Sequence, residues 1–183
     1  MDHEFATFED KLARAAIQID EEYFQLPVAD ADTVYRERVY CYELYHQLRC
    51  LWNGFPFSLG GEVDKVKHPF FEDGPYATAK PDFLVHRPGD MSRNLACVEV
   101  KPCCRASRDY QDDLRKLTWF CRNARYHGGI FLVYGLEVGE TPDRALLRRK
   151  LDRAAANQDD IDLRMVRIMH HAEAGQMAEK VIL

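Results

Sequence analysis

Apolar residues recur at three- and four-residue intervals through residues 5 to 24, where Phe5, Phe8, Leu12, Ala15, Ala16, Ile19 and Tyr23 fall on one side of an amphipathic helix that stops before Pro27. The period returns from Val34 to Trp52, with Val34, Val39, Tyr42, Tyr45, Leu48 and Trp52 supplying the apolar surface and Asn53-Gly54 the stop signal. It then shortens to two, as strands require. FSLGGEVDKV (57 to 66) fits a strand bent or bulged at Gly60-Gly61, and DFLVHR (82 to 87) and LACVEVK (95 to 101) fit two more, joined by the turn-rich RPGDMSRN. Helical spacing resumes over 107 to 125, with Tyr110, Leu114, Leu117, Phe120 and Cys121 on one side. GIFLVYG (129 to 135) is almost wholly apolar, as expected of a strand buried on both faces. A helix from near Pro142 to about Ala155, a strand over IDLRMVRIM (161 to 169) and a short C-terminal helix or tail complete the chain.

Helix, helix, three strands, helix, strand, helix, strand predicts an α/β fold with a central mixed sheet flanked by helices. The first three strands form a meander and the later ones arrive by helical crossovers. With 183 residues, 46% of them hydrophobic, the chain suits one domain with an appended segment. Residues 1 to 33 read as an acidic N-terminal helix and loop, and 34 to 183 as the α/β domain. No run approaches the length of a membrane span and the start lacks a leader pattern, so the expected compartment is the cytoplasm, with no membrane partner.

Charge sharpens this division. Residues 1 to 33 hold nine acids against two bases, a net of −7, which leaves the rest of the chain at +2 out of a total of −5. Residues 101 to 126 hold seven bases (Lys101, Arg105, Arg108, Arg115, Lys116, Arg122 and Arg125) against three acids. That segment suits a basic face for phosphates, or equally a mixed-charge solvated helix. The six cysteines contain no C-x-x-C pair, and neither Cys103-Cys104 nor His170-His171 has zinc-ligand spacing, so reduced and mostly buried thiols are expected. No serine or cysteine nucleophile has a supporting constellation, and no Gly-rich phosphate loop is present.

The candidate chemistry lies where the two short strands of 82 to 101 end in charge. As an antiparallel hairpin centred between Asp90 and Asn94, they set Asp82 opposite a residue near Lys101, with Glu99 on the diagonal. Opposed Cβ atoms lie about 5 Å apart and diagonal ones about 7 to 8 Å. Glu99 and Lys101 share a face because they are two apart, while Val98 and Val100 point the other way. Two converging carboxylates repel when ionised unless a cation lies between them, and oxygen ligands select Mg²⁺ or Mn²⁺. A lysine beside them orients or helps deprotonate an attacking water, or stabilises charge growing on phosphate oxygens. The plainer alternative is an exposed ion pair at a strand end.

Pro81-Asp82 followed on the next strand by Glu99-Val100-Lys101 resembles the PD-(D/E)XK nuclease superfamily. The resemblance spans about residues 34 to 135 and implies a restriction-endonuclease-like αβββαβ core with an extra N-terminal helix. It implies metal ligation by Asp82, Glu99 and the backbone carbonyl of Val100, water assistance by Lys101, and a further carboxylate from the first core helix, for which Glu43 in YCYELYHQLR is the candidate. The implied function is a Mg²⁺- or Mn²⁺-dependent nuclease acting on DNA or RNA.

Around this core, Glu62 beside Gly60-Gly61 is either an added metal ligand or a solvated residue at a bend. Gln47 and His46, one turn beyond Glu43, are substrate-contact candidates, as are Arg105, Arg108 and Lys116. Asp113 and Lys116 also fit a surface i, i+3 pair. Tyr40, Tyr42 and Tyr45 fit helix packing better than base stacking. Two other functional classes stay open: a catalytically silent binding or assembly module on the same fold, and a metal-dependent hydrolase of a small phosphate compound. A homodimer or a partner protein is left open as well.

Overall fold

Phe5, Phe8, Leu12, Ala15 and Ala16 form the buried stripe of helix α1 (Asp2–Ile17). The expected 5 to 24 helix breaks after it, where Gln18 and Ile19 close the last turn on Ala15 and Ala16, and a single turn, α2 (Glu21–Phe24), follows. The computed structural model of the chain describes residues 1–62, 75–76, 79–137 and 144–183. Where the sequence suggests only a loop around Pro27, a small antiparallel hairpin of β1 (Leu26–Val28) and β2 (Ala31–Val34) stands apart from the main sheet. Helix α3 (Glu37–Cys50) then buries Tyr40, Cys41, Leu44 and Leu48.

The main sheet has six strands in the order β3 (Ser58–Gly61), β4 (Phe83–Arg87), β5 (Asp90–Pro102), β6 (Gly128–Tyr134), β7 (Val166–His171) and β8 (Glu179–Lys180). β3 to β5 form the antiparallel meander, β5, β6 and β7 run parallel, and β8 returns antiparallel to β7. The crossovers are α4 (Ser107–Asn123) and α5 (Ala145–Ala155). The fold is therefore α/β, with a mixed sheet flanked by helices. The expected ends of two elements, residues 63 to 66 of the first strand and the start of a helix at Pro142, lie outside the described residues. The last long strand begins later than its alternation suggests, because Asp162 Oδ1 accepts the Arg164 N–H at 3.1 Å and turns the chain before Val166. The expected C-terminal helix or tail includes the short strand β8.

Each face of the sheet has its own core. Phe83, Val85, Val98, Val100, Ile130 and Leu132 pack with α1 and α3 on one face. Leu84, Cys97, Phe131 and Val133 pack with α4 and α5 on the other. Helix α1 lies inside the first cluster with Phe8, Leu12 and Ala16 fully buried, so a boundary at residue 33 does not separate two cores. Its acids also pair away from the 101 to 126 segment: Glu9 meets Arg167 and Lys180, each at 2.9 Å, and Asp2 meets His127 at 2.9 Å. No described helix is long and apolar enough to cross a membrane.

Candidate active site

The β4–β5 hairpin turns tightly at Pro88-Gly89, where Gly89 has φ +81°, a conformation glycine adopts without strain. The turn therefore precedes the expected Asp90–Asn94 centre, and β5 begins at Asp90. Its extra length is absorbed by register shifts between Val85 and His86 and between His86 and Arg87. Phe83 pairs with Val98, so one further step sets Asp82 level with Glu99, not with Lys101. The correction leaves all three on one face, because Glu99 and Lys101 still alternate with the inward-facing Val98 and Val100 of the opposite core.

These side chains meet at the end of β5 with groups from two helices. Asp82 Oδ2 accepts the Val100 N–H at 2.7 Å, which fixes its carboxylate across the start of the hairpin. Lys101 Nζ lies 3.0 Å from Glu37 Oε1, at the first turn of α3, and 3.2 Å from Asp113 Oδ2 on α4. Lys116 Nζ, one turn along α4 from Asp113, lies 2.8 Å from Glu99 Oε1 and 3.0 Å from Asp113 Oδ1. Glu37, Glu99 and Asp113 thus share two ammonium groups and Asp82 takes the Val100 N–H, so the four carboxylates leave a formal excess of −2.

Burial makes that excess costly. It raises the Asp82 carboxyl to about 6, against the partial relief of the Val100 N–H and with a further push from the Glu37 charge. Glu99 is almost completely buried, and burial together with the Asp82 and Asp113 charges pushes it well up despite Lys116. Lys101 is pushed the other way from a general base. Burial works against its charge, but the Asp113 and Glu37 carboxylates outweigh burial and hold it as an ammonium. Glu99 and Asp113 do the same for Lys116.

A divalent cation suits this donor set in charge and in hardness. The −2 excess matches its charge, and the buried oxygens Glu99 Oε1 and Asp113 Oδ2 lie near ammonium groups yet accept no well-aligned hydrogen bond. Among the described residues, no three or more His, Cys, Asp or Glu side chains form a ready-made cage. Mg²⁺ needs none, since it commonly keeps several waters and takes only one or two carboxylates from the protein.

The other sequence candidates fall around this centre. Glu43 is about 160° round α3 from Cys41, a buried residue that feels the Asp82, Glu37 and Glu99 charges, and its carboxylate takes a 2.6 Å hydrogen bond from Gln47 Nε2. Glu37, four residues before Cys41, is the α3 carboxylate that the structure brings to Lys101. His46 is exposed, with Nε2 3.8 Å from Cys50 Sγ, so neither it nor Gln47 is brought to Asp82. Glu62 is nearer: its N–H donates to the Asp82 carbonyl at 3.1 Å, and its side chain pairs with Arg38 at 3.1 Å. Arg105 and Arg108 are exposed on the turn after β5 and the first turn of α4. Lys116 is inside the cluster, paired with Glu99 and Asp113.

Glu37 is not among the sequence candidates, and Asp113 is expected there as a surface partner of Lys116 with a smaller chance of touching substrate. A signal existed for each: Glu37 lies one turn before a buried cysteine, and Asp113 lies between the buried Tyr110 and Leu117 of α4. No family model, curated protein or solved structure matches the chain.

Proposed function

We propose that the protein is a metal-dependent phosphodiesterase acting on nucleic acid. The carrying observation is the convergence of Asp82, Glu99 and Lys101 at the end of β5, where four carboxylates outnumber two ammonium groups by two charges. Asp82 and Glu99 would hold Mg²⁺ or Mn²⁺, which supplies Lewis-acid stabilisation of charge on a phosphate oxygen. The Val100 N–H holds the Asp82 carboxylate in place. Glu37 and Asp113 keep Lys101 protonated, so it acts as a donor that orients an attacking water or stabilises the phosphate, not as the base that removes the proton. Lys116 neutralises Glu99 until that carboxylate is needed elsewhere.

That last contact also favours a second reading, a binding or assembly module in which Lys116 closes the ion-pair network permanently. Cleavage separates the two. Purified protein should cut DNA or RNA with Mg²⁺ or Mn²⁺ and stop in chelator, and Asp82→Asn, Glu99→Gln and Lys101→Met should each lose at least about a hundredfold while staying folded, in line with other electrostatic stabilisers. Equal cleavage by all three variants would remove the assignment.

A further inference from the structure

A cleft of about 360 Å³ opens beside Asp82, between α3 and the edge strand β3. Tyr42, Tyr45, Glu62 and Phe83 give it two kinds of wall. One wall is aromatic. Tyr45 stacks on Phe83 with centroids 6.2 Å apart at 27°, and its hydroxyl is tied to the Leu59 carbonyl at 3.3 Å, so that ring is fixed. Tyr42 is three residues earlier on the same helix and 62% exposed, so its ring is open to a ligand at the cleft. The other wall is polar. Glu62 adopts φ +44°, uncommon for a non-glycine residue and a feature that clusters at functional sites. Among the described residues its carboxylate is held at the rim by Arg38, at 3.1 Å, and both side chains are well exposed, Arg38 at 68% and Glu62 at 42%. Such a pair is weak and readily exchanged for another donor.

We propose that this cleft seats one unpaired nucleobase of the substrate, a base carrying an exocyclic amino group, with cytosine as the best fit. The inference rests on the phosphodiesterase reading, because Asp82 belongs to both the cleft and the carboxylate cluster. Tyr42 stacks on the base, and Glu62 accepts a hydrogen bond from its amino group, the pairing a carboxylate makes with cytosine N4. Arg38, released from Glu62, is left at the rim for the neighbouring phosphate. A paired base cannot enter a cleft of this size without leaving its stack, so the preferred substrate is single-stranded or locally opened.

The test uses an uncharged nucleoside, so that neither a metal nor the phosphate is required. Cytidine is titrated in chelator into the 183-residue chain and followed by NMR shifts. The proposal expects perturbation at Tyr42, Tyr45 and Glu62, about tenfold weaker binding in Tyr42→Ala, within the usual range for base–aromatic stacking, and weaker binding of uridine than of cytidine. Glu62→Gln should erase the preference for cytidine while leaving the Tyr42 contact. Gly61→Val, which adds a side chain on the cleft wall where a Cβ meets Tyr45 at 3.6 Å, should block both nucleosides. Absence of shifts at the cleft, or unchanged affinity in folded Tyr42→Ala, would overturn the base seat and leave the phosphodiesterase reading intact. Failure of that reading would show separately, as absence of metal-dependent cleavage.

Discussion

Lys101 lies between two carboxylates and Lys116 between two more oxygens, and these placements give the two lysines different tasks. Lys101 is held by Glu37 and Asp113, neither of which is opposed to Asp82 on the sheet, so a cation beside Asp82 need not displace it. Lys116 occupies Glu99 itself. Replacing it with Gln removes a competing positive charge, so Mn²⁺ should bind about tenfold more tightly in titration calorimetry, a gain of about 1.4 kcal/mol. In chelator the same variant should melt lower than wild type, since removing one partner of a buried pair leaves the other uncompensated. Weaker Mn²⁺ binding in Lys116→Gln would mean that Lys116 supports the site rather than plugging it.

A second residue-scale consequence follows from His171. Burial pushes its imidazole down to about 4, against a backbone hydrogen bond near Glu173 and with a small further push from His170; Nδ1 also meets Tyr40 Oη at 2.8 Å. The folded pKa lies below the unfolded value of about 6.5, so between those values the unfolded chain binds a proton that the folded chain refuses. Its contribution to stability is complete above about pH 6.5 and is lost as pH falls towards 4, on the order of 3 kcal/mol in all. Urea unfolding at pH 7 and pH 5 should show wild type losing more stability than His171→Gln; equal losses would contradict this account of the histidine.

At the scale of elements, α1 belongs to the core. Phe8 and Leu12 are fully buried against α3 and β5 residues, so Leu12→Ala should cost about 2 to 5 kcal/mol in chemical denaturation. Deleting residues 1 to 30 should abolish a cooperative melt. A truncated chain that melts cooperatively and binds nucleic acid more tightly would instead make the segment an acidic competitor. Much of the architecture is legible in periodicity: α3, α4 and β6 are placed within a few residues because their apolar spacing has one interpretation. The hairpin register is not, because alternation identifies the shared face but cannot place the turn, and Pro88-Gly89 moves it by two residues. Which α3 carboxylate lies beside Lys101 is not legible either, for a related reason. Tyr42 and Tyr45 look like core residues in the sequence and draw Glu43 inward, whereas Tyr42 is exposed and the buried stripe runs through Tyr40, Cys41, Leu44 and Leu48.

For the whole molecule, the site's position follows from topology. β5 is shared by the antiparallel meander and the parallel half of the sheet, so its C-terminal end receives Asp82 from β4 on one side and α4 from the crossover on the other. That junction, with Glu37 of α3, sets charged groups from α3, α4, β5 and the start of β4 at the rim of an apolar sheet, a buried formal excess of two negative charges that a divalent cation would offset under the proposed function. The most direct test is an anomalous-scattering map from a crystal soaked in Mn²⁺. The account predicts one strong peak between the carboxylates of Asp82 and Glu99, with Lys116 withdrawn from Glu99. A saturating soak with no peak there, and Lys116 still paired with Glu99 and Asp113, would contradict it.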